Sequence, residues 1–227
     1  MGNLTNLKLD NPKLSNPIWL LTAFVVVISL PLLNVIFGSV TIYILPVSYS
    51  LLVIFGMLAV STSSRTFLTG LVMGFSLIVV LWFNYSTGAS NKSIVLQHLL
   101  NLSFFVLLLV FLGRNVLMAK SVSLPVIYGV ACGYVLIAAI FSLLFAILDL
   151  YAPGSLSQNG AMVAEFDYLY FSFVTITTLG YGDIIPATEA AQSLVILTAT
   201  SGQLYLALVV AVIVGKFLAN FKEQRPN

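Results

Sequence analysis

Residues 175–183 read TITTLGYGD, a polar and glycine-containing stretch that overlaps the end of the apolar segment FDYLYFSFVTITT at 166–178. As a helix, thirteen residues would be about 20 Å long, which is too short to cross a hydrocarbon core of about 30 Å. The apolar segment is therefore expected to enter a membrane and return. Irregular backbone at that depth is tolerated only where it is buried in protein or lines a water-filled path, so residues 175–183 are expected to face a pore or a cavity.

The composition of the chain indicates a membrane protein. Of its 227 residues, 60% are hydrophobic and 7% are charged, and its mean hydropathy is +1.09. A soluble domain of this size needs several times more charged side chains on its surface. A net charge of +2 argues against a nucleic-acid partner. The single cysteine, Cys132, lies in an apolar run and can form no disulfide within the chain.

Six apolar runs are long enough to cross the hydrocarbon core as helices of about 20 residues. They predict an all-α membrane protein with six transmembrane helices plus a re-entrant pore helix. The expected spans are 18–37, 42–60, 67–83, 94–112, 124–148 and 190–217.

The distribution of basic residues predicts the orientation of these spans, because short loops rich in Lys and Arg remain on the cytoplasmic side. Eight of the nine basic residues fall on one side of the membrane, and Lys92 alone falls on the other. The sequence thus predicts a multi-pass protein of the cell membrane, surrounded by lipids, with both termini in the cytoplasm. The eight are Lys8, Lys13, Arg65, Arg114, Lys120, Lys216, Lys222 and Arg225.

The heptapeptide TTLGYGD, Thr177 to Asp183, resembles the selectivity filter of potassium channels. Together with its membrane context, it makes residues 122–225 similar to the pore unit of tetrameric pore-loop cation channels, in particular to bacterial-type potassium channels. The resemblance implies an outer helix, a pore helix, a filter and an inner helix. It divides the chain into a four-helix N-terminal membrane domain at 1–121, which lacks a charged sensor helix, and a pore domain at 122–227.

The resemblance also implies which groups meet the ion. The K⁺ ligands would be four backbone carbonyls and the Thr178 hydroxyl, and no other cofactor is expected. Because Gly180 and Gly182 accept a positive φ, they let successive carbonyls turn the same way. The carbonyls belong to Thr178, Leu179, Gly180 and Tyr181, with Thr177, Gly182 and Asp183 supporting the filter and Tyr181 packing outward.

One chain carries one such segment, whereas a potassium filter is built from four. We therefore expect a homotetramer with closed cyclic symmetry. Two departures from the family pattern stand out. Val174 lies where some relatives carry a glutamate that pairs with the aspartate after the filter, so Asp183 is expected to lack that partner. Tyr170 and Phe171 replace common tryptophans and form a weaker aromatic cuff.

A glycine and a cluster of polar residues inside the expected spans each allow two interpretations. Gly202 stands at a spacing from the filter that resembles the inner-helix hinge of the family, and a small residue that permits close helix contact explains it equally well. His98, with Gln97 and Asn101, forms a polar cluster in the fourth span. A buried, hydrogen-bonded histidine is the simpler interpretation, and a proton sensor is the alternative.

Other classes of function fit less well. The chain lacks a nucleophile triad, a metal-ligand cluster and a phosphate-binding loop, so an enzyme is not expected. The alternatives are a pore subunit that needs a partner chain, a non-selective cation channel, or a carrier with a midplane site between inverted halves. The fourth span carries too few charges for steep voltage gating. The sequence leaves the gating stimulus open among lipid, tension, pH and a partner subunit.

Overall fold

The computed structural model describes residues 17–37, 41–59, 64–88, 90–119, 121–158 and 163–223. In these ranges the chain forms seven helices and two strands of two residues each. The elements are α1 (Ile18–Phe37), α2 (Thr41–Ala59), α3 (Ser64–Thr87), α4 (Asn91–Met118), α5 (Leu124–Tyr151), β1 (Leu156–Ser157), α6 (Glu165–Ile176), β2 (Ile185–Pro186) and α7 (Glu189–Glu223).

Each of the seven predicted apolar segments corresponds to one helix. Within the described residues, four helices are long and apolar enough to cross a membrane, over the ranges Phe67–Thr87, Asn91–Met118, Leu124–Tyr151 and Glu189–Lys216. The apolar parts described for α1 and α2 are shorter, Ile18–Leu32 and Pro46–Ala59. The chain is therefore an all-α, multi-pass membrane protein, and the count of six spans stays a prediction.

Local sequence signals set several helix boundaries. At the start of α4, the Ser90 hydroxyl accepts from the Ser93 amide and the Ser93 hydroxyl accepts from the Ser90 amide, a reciprocal cap. Pro125 lies in the first turn of α5, where its missing N–H costs nothing. Both α3 and α4 extend beyond their predicted apolar runs, because polar residues at their ends continue the helix.

Helix α5 lies between two groups of helices. It packs against α1 and α4 on one side and against α6 and α7 on the other, while α1 to α4 pack in sequence order. A continuous core joins α5 to the first group through Phe104, Leu108 and Leu136, each of which has no solvent exposure. The Cys132 thiol of α5 is buried in this core and donates to the Pro17 carbonyl at 3.4 Å.

Part of the predicted orientation depends on residues outside the described ranges. Lys8, Lys13, Lys120 and Arg225 lie there, and so do residues 1 and 227, the outer ends of the two predicted domains. The side-chain positions of Arg65 and Lys222 are not described either. The cytoplasmic location of the termini therefore stays a prediction. The division of the chain between residues 121 and 122 also stays a prediction.

Candidate functional site

The segment that was predicted to be re-entrant forms the twelve-residue helix α6. Hydrogen bonds made by side chains attach this helix to α5. Near its N-terminal end, the Tyr168 hydroxyl donates to Oδ2 of Asp149 at 2.7 Å, and the other carboxylate oxygen accepts from the Ser155 amide at 2.9 Å. In its middle, the fully buried Ser172 hydroxyl donates to the Ala138 carbonyl at 2.6 Å. These bonds fix the depth and rotation of α6 against the membrane-spanning helix.

The inner end of α6 lies between α5 and α7. The Tyr134 hydroxyl donates to the carbonyl of Ile176, the last residue of α6, at 3.1 Å. From the other side, Gly202 of α7 approaches so closely that an added Cβ would overlap the Ile176 side chain and lie 2.8 Å from its carbonyl oxygen. Gly202 therefore makes a close helix contact within the continuous helix α7, and its possible role as a hinge stays a prediction.

The backbone after α6 has a positive φ at every second residue. The φ angles are +60° at Thr178, +54° at Gly180 and +78° at Gly182. The expected positive φ at both glycines is confirmed. Thr178 was not expected to share it, because an L side chain in this region costs about 1 to 2 kcal/mol. Strain of this kind at a non-glycine residue is typical of functional segments.

Four successive amides of this segment point back to the end of α6. The Thr177 amide donates to the carbonyl of residue 173, and the Thr178 amide donates to that of residue 175. The amides of Leu179 and Gly180 both donate to the carbonyl of residue 174, and all four distances are 3.0 to 3.2 Å. In the described part of the chain, no backbone N–H donates to the carbonyls of residues 178–181. These residues are exposed in the single chain, so this row of carbonyl acceptors can bind an external donor or a cation.

The carboxylate that ends the segment has a partner that the sequence did not predict. Val174 is buried and apolar, so Asp183 has no glutamate beside it, but the Tyr170 hydroxyl donates to Oδ2 of Asp183 at 2.7 Å. This bond lowers the pKa of Asp183 and raises that of Tyr170 to about 12. The interpretation of Tyr170 as a plain aromatic cuff residue was therefore incomplete.

A small antiparallel sheet holds the chain after Asp183. Ile184 is buried, and β2 pairs with β1 so that Ile185 faces Ser157 and Pro186 faces Leu156. Together with α6, this sheet fixes both ends of residues 177–183. We call these seven residues the candidate filter.

The two large side chains of the candidate filter are exposed in the single chain. The exposed fraction is 56% for Leu179 and 66% for Tyr181. Thr177 is also exposed, and its hydroxyl donates to the Phe173 carbonyl at 2.7 Å.

The polar cluster of the fourth span is buried, as expected for His98. Its exposed fraction is 6% and that of Asn101 is 3%. The third helix supplies a member that the sequence did not reveal: Asn84 donates through Nδ2 to Oε1 of Gln97 at 2.7 Å. The cluster therefore joins α3 to α4, and a role in proton sensing stays a prediction.

Several residues that position the site were not predicted. No role is predicted from the sequence for Asp149, Tyr134 or Tyr168. A signal for Asp149 did exist, because a carboxylate next to a long apolar run requires a donor. The identity of that donor, Tyr168, depends on the rotation of α6 and is not visible in sequence.

Comparison with known proteins relates this region to ion channels. Residues 129–219, from α5 to α7, match the model of an ion channel family. The A-type voltage-gated potassium channel KCND3 of Rattus norvegicus is 35% identical over 82 residues, and the same holds for its Homo sapiens counterpart. The inward rectifier potassium channel Kirbac3.1 of Paramagnetospirillum magnetotacticum is 34% identical over 98 residues.

These similarities cover part of each protein. The match to KCND3 spans 34% of this chain and 12% of that channel, and the match to Kirbac3.1 spans 43% and 32%. No solved structure gives a significant match. The α5–α7 region is thus similar to potassium channels, and the family match does not extend to α1–α4.

Proposed function

We propose that this protein is a potassium-selective channel that conducts K⁺ passively through a central pore built by four copies of the chain. The observation that carries the proposal is the backbone of the candidate filter, where φ is positive at Thr178, Gly180 and Gly182 directly after a helix too short to cross the membrane. The similarity of α5–α7 to potassium channels supports it.

The carbonyls of residues 178–181 replace the hydration shell of K⁺. Alternating positive φ turns successive carbonyls toward one side, and their lack of backbone donors keeps them available to the ion. The Thr178 hydroxyl adds the innermost ligand. The C-terminal end of α6, which carries a partial negative charge, adds a modest attraction for a cation.

A homotetramer completes the site. One chain supplies one candidate filter, and its Leu179 and Tyr181 side chains stay exposed unless neighbouring copies cover them. Closed cyclic symmetry makes four such segments equivalent. The pore domain at 122–227 forms the conduction path, the domain at 1–121 surrounds it, and both termini lie in the cytoplasm. K⁺ and membrane lipids are the partners, and the protein has no enzymatic activity.

A planar-bilayer recording of the purified full chain under opposed K⁺ and Na⁺ gradients tests the proposal. We expect single-channel steps, a reversal potential that follows the K⁺ gradient, and block by external Ba²⁺. Tyr181→Asp should weaken discrimination between K⁺ and Na⁺. A reversal potential that follows the Na⁺ gradient would identify a non-selective channel. Saturating flux without single-channel steps would identify a carrier, and the absence of flux would indicate that a partner chain is missing.

A further inference from the structure

We propose that Tyr134 is a positioning residue for the candidate filter: its hydroxyl holds the inner end of α6 and so fixes the first residues of the filter. This inference rests on the proposed function for its effect on selectivity. Its structural part, the ordering of residues 177–180, can be measured without any current.

The bond from Tyr134 reaches the helix end that the filter continues. Ile176 is the last residue of α6 and is fully buried. Its carbonyl is one of the terminal carbonyls that a helix leaves without an intrahelical partner. The Tyr134 hydroxyl supplies that partner at 3.1 Å. Without it, the buried carbonyl would lose its donor, and the helix end would be free to fray or rotate.

The four amides that follow depend on the same turn. Those of residues 177–180 donate to the carbonyls of Phe173, Val174 and Thr175, all within the last turn of α6. A displacement of this turn therefore moves the four residues that are bonded to it. Two of them, Thr178 and Gly180, have a positive φ and supply proposed K⁺ ligands. The Tyr134 hydroxyl thus acts on the filter through the helix end, although it does not touch the filter.

A second tyrosine in the same region provides a matched control. The Tyr205 hydroxyl of α7 donates to the Val130 carbonyl of α5 at 2.7 Å, and its ring lies 6.1 Å from that of Tyr134. Its bond joins α7 to α5 and involves no residue of α6. Tyr205→Phe therefore removes one hydroxyl from the same part of the structure without removing a bond to the pore helix.

The test compares wild type, Tyr134→Phe and Tyr205→Phe as full-length proteins purified in K⁺, using hydrogen exchange followed by mass spectrometry. For Tyr134→Phe we expect amide exchange in the peptide covering residues 177–180 to increase by roughly threefold to tenfold, the range that the loss of one hydrogen bond allows. For Tyr205→Phe this peptide should exchange at the wild-type rate. Unchanged exchange in Tyr134→Phe, or an equal increase in both variants, would overturn the proposal.

Bilayer recordings of the same proteins give the functional outcome. The ratio of K⁺ to Na⁺ permeability should fall by roughly threefold to tenfold in Tyr134→Phe and stay unchanged in Tyr205→Phe. If Tyr134→Phe alters exchange but keeps the wild-type ratio, the role in selectivity is wrong. If wild type itself does not select K⁺, the proposed function fails, while the exchange data still decide whether Tyr134 orders residues 177–180.

Discussion

The Tyr170 hydroxyl donates a hydrogen bond of 2.7 Å to Oδ2 of Asp183, which joins the re-entrant helix to the last residue of the candidate filter. Thirteen positions separate the two residues, and the whole of the candidate filter up to Asp183 lies between them. The bond closes this segment into a loop whose outer end cannot move away from α6 without breaking it.

The first prediction concerns pH. The Tyr170 bond lowers the pKa of Asp183, so its stabilising contribution is complete above the ordinary carboxyl pKa of about 3.9 and is lost as the pH falls through the lowered value. We expect Tyr170→Phe to lower the thermal unfolding midpoint at neutral pH, and the difference from wild type to shrink below about pH 4. Tyr151→Phe, which removes a hydroxyl from a side chain that is 74% exposed, is the control. A difference that does not change with pH would contradict the assignment.

The second prediction separates backbone strain from filter function. Gly180 and Gly88 have φ angles of +54° and +79°, and a Cβ at either position would meet no atom of the described residues within 4 Å. Alanine at each should therefore cost a similar amount of unfolding free energy, about 1 to 2 kcal/mol. Only Gly180→Ala should reduce the K⁺ to Na⁺ permeability ratio, because Gly88 lies in the loop between α3 and α4. Wild-type selectivity in Gly180→Ala would argue against carbonyl coordination there.

The positions of the helices along the chain were largely predictable, because they depend on the lengths of the apolar runs. The runs at 18–37 and 124–148 begin at the observed starts of α1 and α5, and the thirteen-residue segment was too short to cross whatever its contacts. The positive φ at Gly180 and Gly182 followed from residue type. A structural feature can be predicted from one sequence when it depends on a single residue type or on a single apolar run.

The contacts between helices were not predictable in the same way. The partners of Asp183 and Asp149 are tyrosines of α6 whose hydroxyls reach them only with the observed rotation of that helix. Similarly, the positive φ of Thr178 follows from the amide bonds to α6 and not from a preference of threonine. These features depend on how two elements pack, which periodicity within one element does not specify.

The third prediction concerns Gly202 and distinguishes a hinge from a close contact. Gly202→Ala should destabilise the protein by about 1 to 3 kcal/mol, because the new methyl group overlaps Ile176. Gly215→Ala on the same helix is the control. No atom in the described part of the chain lies within 4 Å of an added Cβ there, so alanine should be neutral or slightly stabilising. In a double-mutant cycle with Ile176→Ala, the double variant should be less destabilised than the sum of the two single changes. Strict additivity would contradict the close-contact interpretation.

The fourth prediction concerns the link between α4 and α7. The Lys216 ammonium donates to the Val116 and Leu117 carbonyls at 2.7 and 2.8 Å, near the C-terminal end of α4. A cation is favourable there, because these carbonyls form the negative end of the helix dipole. Lys216→Gln should lower the unfolding free energy by about 1 kcal/mol. Lys92→Gln, at the positive N-terminal end of the same helix, should leave it unchanged or raise it slightly. Equal losses in the two variants would show that the link is not specific.

The last prediction concerns voltage. A voltage sensor is a helix whose charges move in the membrane field, and each charge that crosses gains about 2.3 kcal/mol per 100 mV, so steep gating needs about 3 to 4 charges per subunit. Helix α4 carries Lys92 and Arg114, both exposed and near opposite ends, and between them only His98 can ionise. Protonated His98 supplies one charge per subunit at most. We therefore expect open probability to change only weakly between about −150 and +150 mV, in wild type and in His98→Ala alike. A slope that corresponds to several gating charges per channel, and that is retained in His98→Ala, would show that α1 to α4 do contain a voltage sensor and would contradict this prediction.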